Sequence, residues 1–239
     1  MHKLKNRVPF GISNFDKLVE GGFENSSTNL IVGGPGSGKT IFATQFLVNC
    51  MKRKEKCLLV TFEENKQQFY QHMLEFGWDL ADYEKKGLFT FLEYAPAKVK
   101  TMLEEGGGSI ETTIISKKIS RLVIDSITSF ALLFEDELTK REAALNLFNM
   151  IRKWNCTSLL TLELNPSEES LSDKAQTKAI EFESDSIIQI YFLRNKDKRE
   201  RFIEILKMRG TNHSDKIYKL DIGNKGITIS KSSSSLPKS

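Results

Sequence analysis

The feature that most constrains this 239-residue chain is a spacing: Gly33, four residues, then Gly38-Lys39-Thr40, set between an apolar run and an amphipathic helix. Asn29-Leu30-Ile31-Val32-Gly33 reads as a short buried strand, and residues 39–52 carry Ile41, Phe42, Phe46 and Leu47 at helical spacing. Strand, glycine-rich loop and helix in that order form a Walker A motif. Glycines without a Cβ let the backbone wrap closely and aim N–H groups at phosphate oxygens, and a helix starting near Lys39 adds the positive end of its dipole. Lys39 is expected to reach the β- and γ-phosphates of a nucleotide, and Thr40 to place its hydroxyl on Mg²⁺. The expected nucleotide contacts are Gly34, Pro35, Gly36, Ser37, Gly38, Lys39, Thr40 and Ile41. A glycine-rich turn with no ligand is the plain alternative, but it does not call for the flanking strand and helix, each read independently.

The same alternation continues downstream. Residues 57–62 form a second apolar run, followed by a helix from Lys66 to Phe76 that Gly77 closes. Leu88 to Leu92 reads as a strand, and Lys98 to Lys118 as helical apart from a break at Gly106-Gly107-Gly108. Arg121-Leu122-Val123-Ile124-Asp125 is a third apolar run, of the kind buried on both faces of a parallel sheet. A helix over 140–153 and a strand over 157–162 complete another unit. The expected class is therefore α/β, a P-loop core with a mainly parallel central sheet flanked by helices.

After Leu164 the texture changes. Asn165 to Lys178 is polar and reads as a surface loop. Ile187–Leu193, Phe202–Met208, Lys216–Leu220 and Ile227–Ile229 read as antiparallel strands at the C-terminal end, separated by 194–201, 210–213 and 223–226. The Ser-rich residues 232–239 read as a disordered tail, leaving 1–231 as a single domain.

Acidic residues at the carboxyl ends of parallel strands converge on one site. Asp125 fits the position that holds Mg²⁺, with a helix N-cap as its plainer reading. Glu63 and Glu64 follow the second strand and are the candidates to orient or deprotonate an attacking water, Glu64 for the water and Glu63 as its partner; a solvated strand end is the alternative. Two adjacent carboxylates near a phosphate repel unless Mg²⁺ or lysine offsets their charge.

Composition narrows the partners. The net charge of +4 is mild, with Lys and Arg interleaved among Asp and Glu, so there is no global nucleic-acid footprint. Arg194, Lys196, Lys198, Arg199 and Arg201 are a local basic cluster, diluted by Asp197 and Glu200 and read as a solvated turn. Three cysteines, Cys50, Cys57 and Cys156, without metal-ligand spacing fit buried apolar positions in a reducing compartment. With no signal-peptide pattern and no window long enough to span a bilayer, a cytoplasmic location is expected and a membrane partner is not.

Taken together, the motifs resemble the KaiC-like branch of the RecA-type ATPases. The resemblance runs from Arg7 to Ile229 and rests on Arg7-Val8-Pro9-Phe10-Gly11-Ile12, Phe15-Asp16-Lys17-Leu18, Gly21-Gly22, the phosphate loop, Val60-Thr61-Phe62-Glu63-Glu64, Phe76-Gly77-Trp78-Asp79-Leu80, Ile124-Asp125-Ser126 and residues 206–213. It implies a RecA-like core, ATP with Mg²⁺, and assembly into rings, usually hexamers, with nucleotide at the subunit boundaries. Lys207 and Arg209, two apart on a predicted strand and so on one face, match residues that act in trans on the γ-phosphate held by the neighbouring subunit. Met208, Thr211 and His213 match positions lining the adenosine across that boundary, and Glu75 matches another nucleotide-contacting position. Without the resemblance, Lys207 and Arg209 read as exposed cations and His213 as a turn residue.

The expected activity is a slow, ring-forming ATPase whose nucleotide state regulates the binding of a protein partner. A scaffold that holds ATP with little hydrolysis, autophosphorylation in the loop bearing Ser167, Ser170, Ser172 and Thr177, and a RecA-type nucleic-acid-binding ATPase are the alternatives. Circadian function does not carry over, because the clock proteins of the family hold two such units and this chain has one.

Overall fold

A computed structural model describes residues 7–94, 108–128, 137–164 and 183–237. Its centre is a nine-stranded sheet. In chain order the first strands, β1 (Arg7–Val8) and β2 (Phe23–Glu24), pair with each other outside that sheet. The sheet itself contains β3 (Thr28–Gly33), β4 (Cys57–Thr61), β5 (Phe89–Glu93), β6 (Arg121–Asp125), β7 (Thr157–Glu163), β8 (Ser186–Asn195), β9 (Lys198–Met208), β10 (Ile217–Gly223) and β11 (Gly226–Ser234). They lie in the order β11-β10-β9-β8-β3-β7-β6-β4-β5. From β8 to β5 every pairing is parallel, and from β8 to β11 every pairing is antiparallel. The expected α/β class, parallel core and antiparallel C-terminal end are all present.

Strand alternation divides the core. Leu30 and Val32 of β3 pack with Leu58, Val60, Leu122, Ile124, Leu160 and Leu162 on one face, under the helices α4 (Gly108–Lys117) and α5 (Glu137–Lys153). Ile31, Leu59, Val123 and Leu159 face the other way, toward α1 (Lys39–Lys52), α2 (Lys66–Leu74) and α3 (Leu80–Lys85). Asn65 caps α2 by accepting the Gln68 N–H at 3.0 Å, so the chain turns immediately after Glu63-Glu64. The N-terminal segment lies over α1, where Phe10, Phe15, Phe23, Phe42 and Phe46 form an aromatic cluster with neighbouring centroids 4.2–5.9 Å apart. Arg121 is buried beneath it and donates to the carbonyls of Pro9 and Phe46 at 2.9 and 3.1 Å. All three cysteines are buried.

Several boundaries differ from the sequence reading. Residues 194–201 are not a free turn: Arg194 pairs with Arg199 and Asn195 with Lys198, so β8 and β9 run on to a tight hairpin at Lys196-Asp197. At the C-terminus β11 continues through Ser232 to Ser234, with Ser233 opposite Tyr218, although the low-complexity composition pointed to a tail from Ser232 onward. The expected helix before Gly106 and the 165–178 loop with Ser167, Ser170, Ser172 and Thr177 lie outside the described residues. Among the described residues, no helix is long and apolar enough to cross a membrane.

Candidate nucleotide site

Gly33 ends β3 at the point where the chain must leave the sheet between β7 and β8. A Cβ there would lie 2.5 Å from the Ile190 carbonyl oxygen and 2.7 Å from Ser37 Oγ, so the position admits no side chain. The loop turns through Gly36 (φ 68°) and Gly38 (φ 105°), both in the left-handed region, and Gly38 caps α1. Lys39 folds back along the loop, its Nζ donating to the carbonyls of Gly33 at 2.8 Å and Gly34 at 3.0 Å.

Because β3, β7, β6 and β4 are parallel, their carboxyl ends share one edge of the sheet, and the residues just past those ends meet the loop. Asp125 ends β6, almost fully buried; its Oδ1 accepts from Thr161 Oγ1 at 2.5 Å, and the Thr40 hydroxyl bonds the same carboxylate. Glu63 accepts from Ser126 Oγ at 2.5 Å. Glu163 ends β7 opposite Gly33 and brings its Oε2 within 3.7 Å of Lys39 Nζ. These groups enclose a cavity of about 270 Å³. Gly36, Gly38, Lys39, Thr40 and Ile41 form one wall, Glu63, Asp125, Ser126 and Glu163 a second, and Arg201 and Ile222 a third.

Burial sets the electrostatics. It pushes the Asp125 carboxyl above its ordinary range, against hydrogen bonds from Thr161 and Thr40, and Glu63 adds to the rise. Burial pulls the Lys39 ammonium below its ordinary value, while Glu163, Asp125 and Glu63 pull it back up. Three carboxylates thus face one lysine and one arginine, a charge balance suited to a divalent cation beside phosphates. The donor set agrees. Ser37 Oγ is fully buried without a protein hydrogen-bond partner, Gly33 and Gly38 stand where a Cβ would come within 3.0 Å of neighbouring atoms, and Thr40 and Asp125 present adjacent hard oxygens. The residues fit a nucleotide phosphate chain with Mg²⁺.

The remaining expected residues divide into two groups. Of the two adjacent carboxylates Glu63 lines the cavity, whereas Glu64 does not and has its Oε1 2.6 Å from His72 Nδ1. Glu75 is exposed at the far end of α2. Lys207, Met208, Arg209, Thr211 and His213 gather at the opposite end of the sheet from the phosphate loop. Lys207 pairs with Ile187 and Met208 with Ser186, which neighbours Asn29 at the start of β3, whereas Gly33 neighbours Ile190. Four residues along a strand separate the two ends by roughly 13 Å. Lys207 Nζ donates to the Ser184 carbonyl at 2.7 Å, Arg209 lies 3.6 Å from Asp185, Thr211 accepts from Arg7 at 2.7 Å, and His213 Nδ1 contacts the Ser214 carbonyl at 3.0 Å.

Two details correct the strand-face argument. Arg209 lies one residue past β9, in a turn, and a bulge interrupts the β8–β9 ladder where Ile187 pairs with Lys207 but Ile188 with Ile205. Ile203 and Ile205 face the core; after the bulge that face passes to Met208, whose side chain is buried, and Lys207 is turned to the other side.

The sequence reading passed over Glu163, Ser126 as a partner of Glu63, Arg201 and Ile222. Glu163 follows the predicted strand 157–162, and the rule that selected Asp125 and Glu63 selects it too. Arg201 and Ile222 reach the cavity through long-range antiparallel pairing, which has no local signal.

A strand, phosphate loop and helix at the centre of a parallel sheet, with carboxylates at the neighbouring strand ends, define a P-loop protein with a RecA-type fold. The model of the KaiC ATPase family matches residues 8–234, and the chain belongs to that family. It is similar over most of its length to a UPF0273 protein of Pyrococcus horikoshii, 30% identical over 239 residues, with 95% of this chain and 94% of that protein covered. The circadian clock protein KaiC3 of Synechocystis is 33% identical over 231 residues, covering 93% of this chain and 45% of that protein. Among solved structures, the KaiC-like protein PH0186 of Pyrococcus horikoshii superposes with a TM-score of 0.82 at 34% identity, covering 94% of this chain and 99% of that one.

Proposed function

We propose that this chain binds ATP with Mg²⁺ and hydrolyses it slowly at the boundaries of a ring of identical subunits, and that its nucleotide state governs the binding of a regulatory partner protein. The observation that carries this reading is the convergence of Lys39, Thr40, Asp125 and Glu63 on one cavity at the end of β3. Mg²⁺, held by Thr40 and Asp125, would neutralise charge on the β- and γ-phosphate oxygens. Lys39 exchanges its loop carbonyls for phosphate oxygens, and Ser126 holds the Glu63 carboxylate toward the γ-phosphate. Glu63 takes a proton from the water whose oxygen bonds the γ-phosphorus as the bond to the ADP oxygen breaks.

Lys207 and Arg209 stand too far from their own phosphate loop to serve it, which supports a role at the site of a neighbouring subunit. The buried side chain of Met208 leaves Lys207, Arg209, Thr211 and His213 as the side chains for that boundary.

The test is ATP turnover per subunit measured against protein concentration, with Lys39→Ala as the control. Turnover per subunit is expected to rise as the protein assembles and to vanish in the variant. Absence of ATP binding, or unchanged turnover by Lys39→Ala, would falsify the proposal.

A further inference from the structure

The cavity wall contains a cation that the phosphate-loop pattern does not supply. Arg201 sits on β9 between Phe192 of β8 and Leu220 of β10. Its Nε and Nη2 both donate to the Gly36 carbonyl, at 3.2 and 2.9 Å, and its guanidinium lies 4.1 Å from the centroid of the Phe192 ring. Gly36 packs near the same ring, since a Cβ on it would stand 3.7 Å from Phe192 Cε1. The adjacent carboxylate, Glu200, is engaged by Lys198 and Lys219, each at 2.9 Å. Arg201 therefore directs its charge at the loop.

A trans peptide unit points its carbonyl and the following N–H in opposite directions. With the Gly36 oxygen held by Arg201, the Ser37 N–H is kept on the opposite side of the peptide, where it now donates to the Gly34 carbonyl at 3.3 Å. Rotation of this peptide would turn a carbonyl oxygen toward phosphate oxygens, and glycine offers the least steric resistance to such a rotation. A charged two-donor grip, backed by an aromatic ring, opposes it.

We propose that Arg201 is a positioning residue for the phosphate loop of its own subunit, holding the Gly36–Ser37 peptide so that N–H groups and not a carbonyl face the phosphates. This inference rests on the nucleotide-binding reading above. It differs from a direct γ-phosphate contact in one measurable way. A misdirected loop weakens every ligand carrying the β-phosphate, whereas loss of a γ-phosphate contact weakens ATP alone.

The experiment is calorimetric titration of wild type, Arg201→Ala, Arg201→Lys and Lys39→Ala with ADP and with ATP, beside thermal unfolding of each variant. Arg201→Ala is expected to lose about tenfold or more in affinity for both nucleotides by the same factor, the scale of a charged hydrogen bond. Arg201→Lys, which keeps a charged donor without the fork, is expected to recover part of that loss. A loss confined to ATP, or unchanged affinities in folded Arg201→Ala, overturns the proposal. If the alanine variant does not fold, the ADP-to-ATP comparison in Arg201→Lys decides by the same criterion. Wild type that binds neither nucleotide overturns the nucleotide-binding reading as well, whereas wild-type affinity in Arg201→Ala beside lost binding in Lys39→Ala overturns this inference alone.

Discussion

Lys39 and Glu163 face each other at 3.7 Å across the paired ends of β3 and β7, so the lysine that would bind phosphate already has a carboxylate for company. A bound phosphate chain competes with Glu163 for Lys39 and is repelled by it. Glu163 is 44% exposed, so solvent screens much of that repulsion. Glu163→Gln is expected to tighten ATP binding without Mg²⁺ by a few-fold at low ionic strength, and the gain should shrink as salt is added. Titration at two salt concentrations checks this; weaker binding by the variant would instead make Glu163 a ligand-holding group.

Asp125 carries a cost in the ligand-free protein. Burial raises its carboxyl pKa above the ordinary range, so the folded state binds the proton more tightly than the unfolded chain does. Its stabilising contribution is fully present below the unfolded carboxylate pKa and is lost as pH rises through the folded value. Asn retains an oxygen to accept from Thr161 and carries no charge. Asp125→Asn is expected to be more stable than wild type at neutral pH, by on the order of 1 kcal/mol, while losing Mg²⁺-dependent nucleotide binding. The stability difference should vanish toward acid, below about pH 4. Thermal unfolding against pH, with and without Mg²⁺ and ATP, reads both effects.

Two loop glycines should fail for different reasons. Gly33→Ala drives a methyl against Ser37 and against the Ile190 carbonyl, a backbone group that the β3–β8 pairing holds in place, and the expected cost is about 1–3 kcal/mol or more. At Gly36 a methyl would make an ordinary contact with the Phe192 ring at 3.7 Å, and the strain is that of the left-handed φ of 68°, roughly 1 kcal/mol. Denaturant midpoints should therefore rank wild type above Gly36→Ala and Gly36→Ala above Gly33→Ala; the reverse order of the two variants would contradict the packing described.

The residues that were legible in the sequence act through local pattern. Lys39 and Thr40 follow from the loop spacing, and Asp125 and Glu63 from their place after apolar runs, because a parallel sheet brings those ends together whatever the strand order. Arg201 was not legible, because its contact with Gly36 requires β9 to fold back on β8 with Phe192 opposite, a pairing between segments far from the loop in the chain. The burial of Met208 has no local signal either: strict alternation puts it on the face opposite Ile203 and Ile205, and the single bulged residue before Lys207 reverses that. Which of Glu63 and Glu64 lines the cavity depends on the turn into α2, where Asn65 caps the helix and leaves Glu64 beside His72.

The separation of Lys207 and Arg209 from their own phosphate loop allows a complementation test. A Lys39→Ala chain has a disabled loop but intact cations for its neighbour; a chain with Lys207→Ala and Arg209→Ala has the converse. If those cations act in trans, each variant alone forms only defective boundaries. Random mixing in equal amounts gives about a quarter of the boundaries an intact loop from one chain facing intact cations from the other. Turnover is then expected to appear on mixing, near a quarter of the wild-type rate per site, after the assemblies have exchanged subunits. Size-exclusion chromatography of each variant separates failure to assemble from failure to hydrolyse. If both variants assemble and exchange but the mixture stays inactive, the cations do not act across the boundary, and their bonds to Ser184 and Asp185 account for them as structural groups of their own chain.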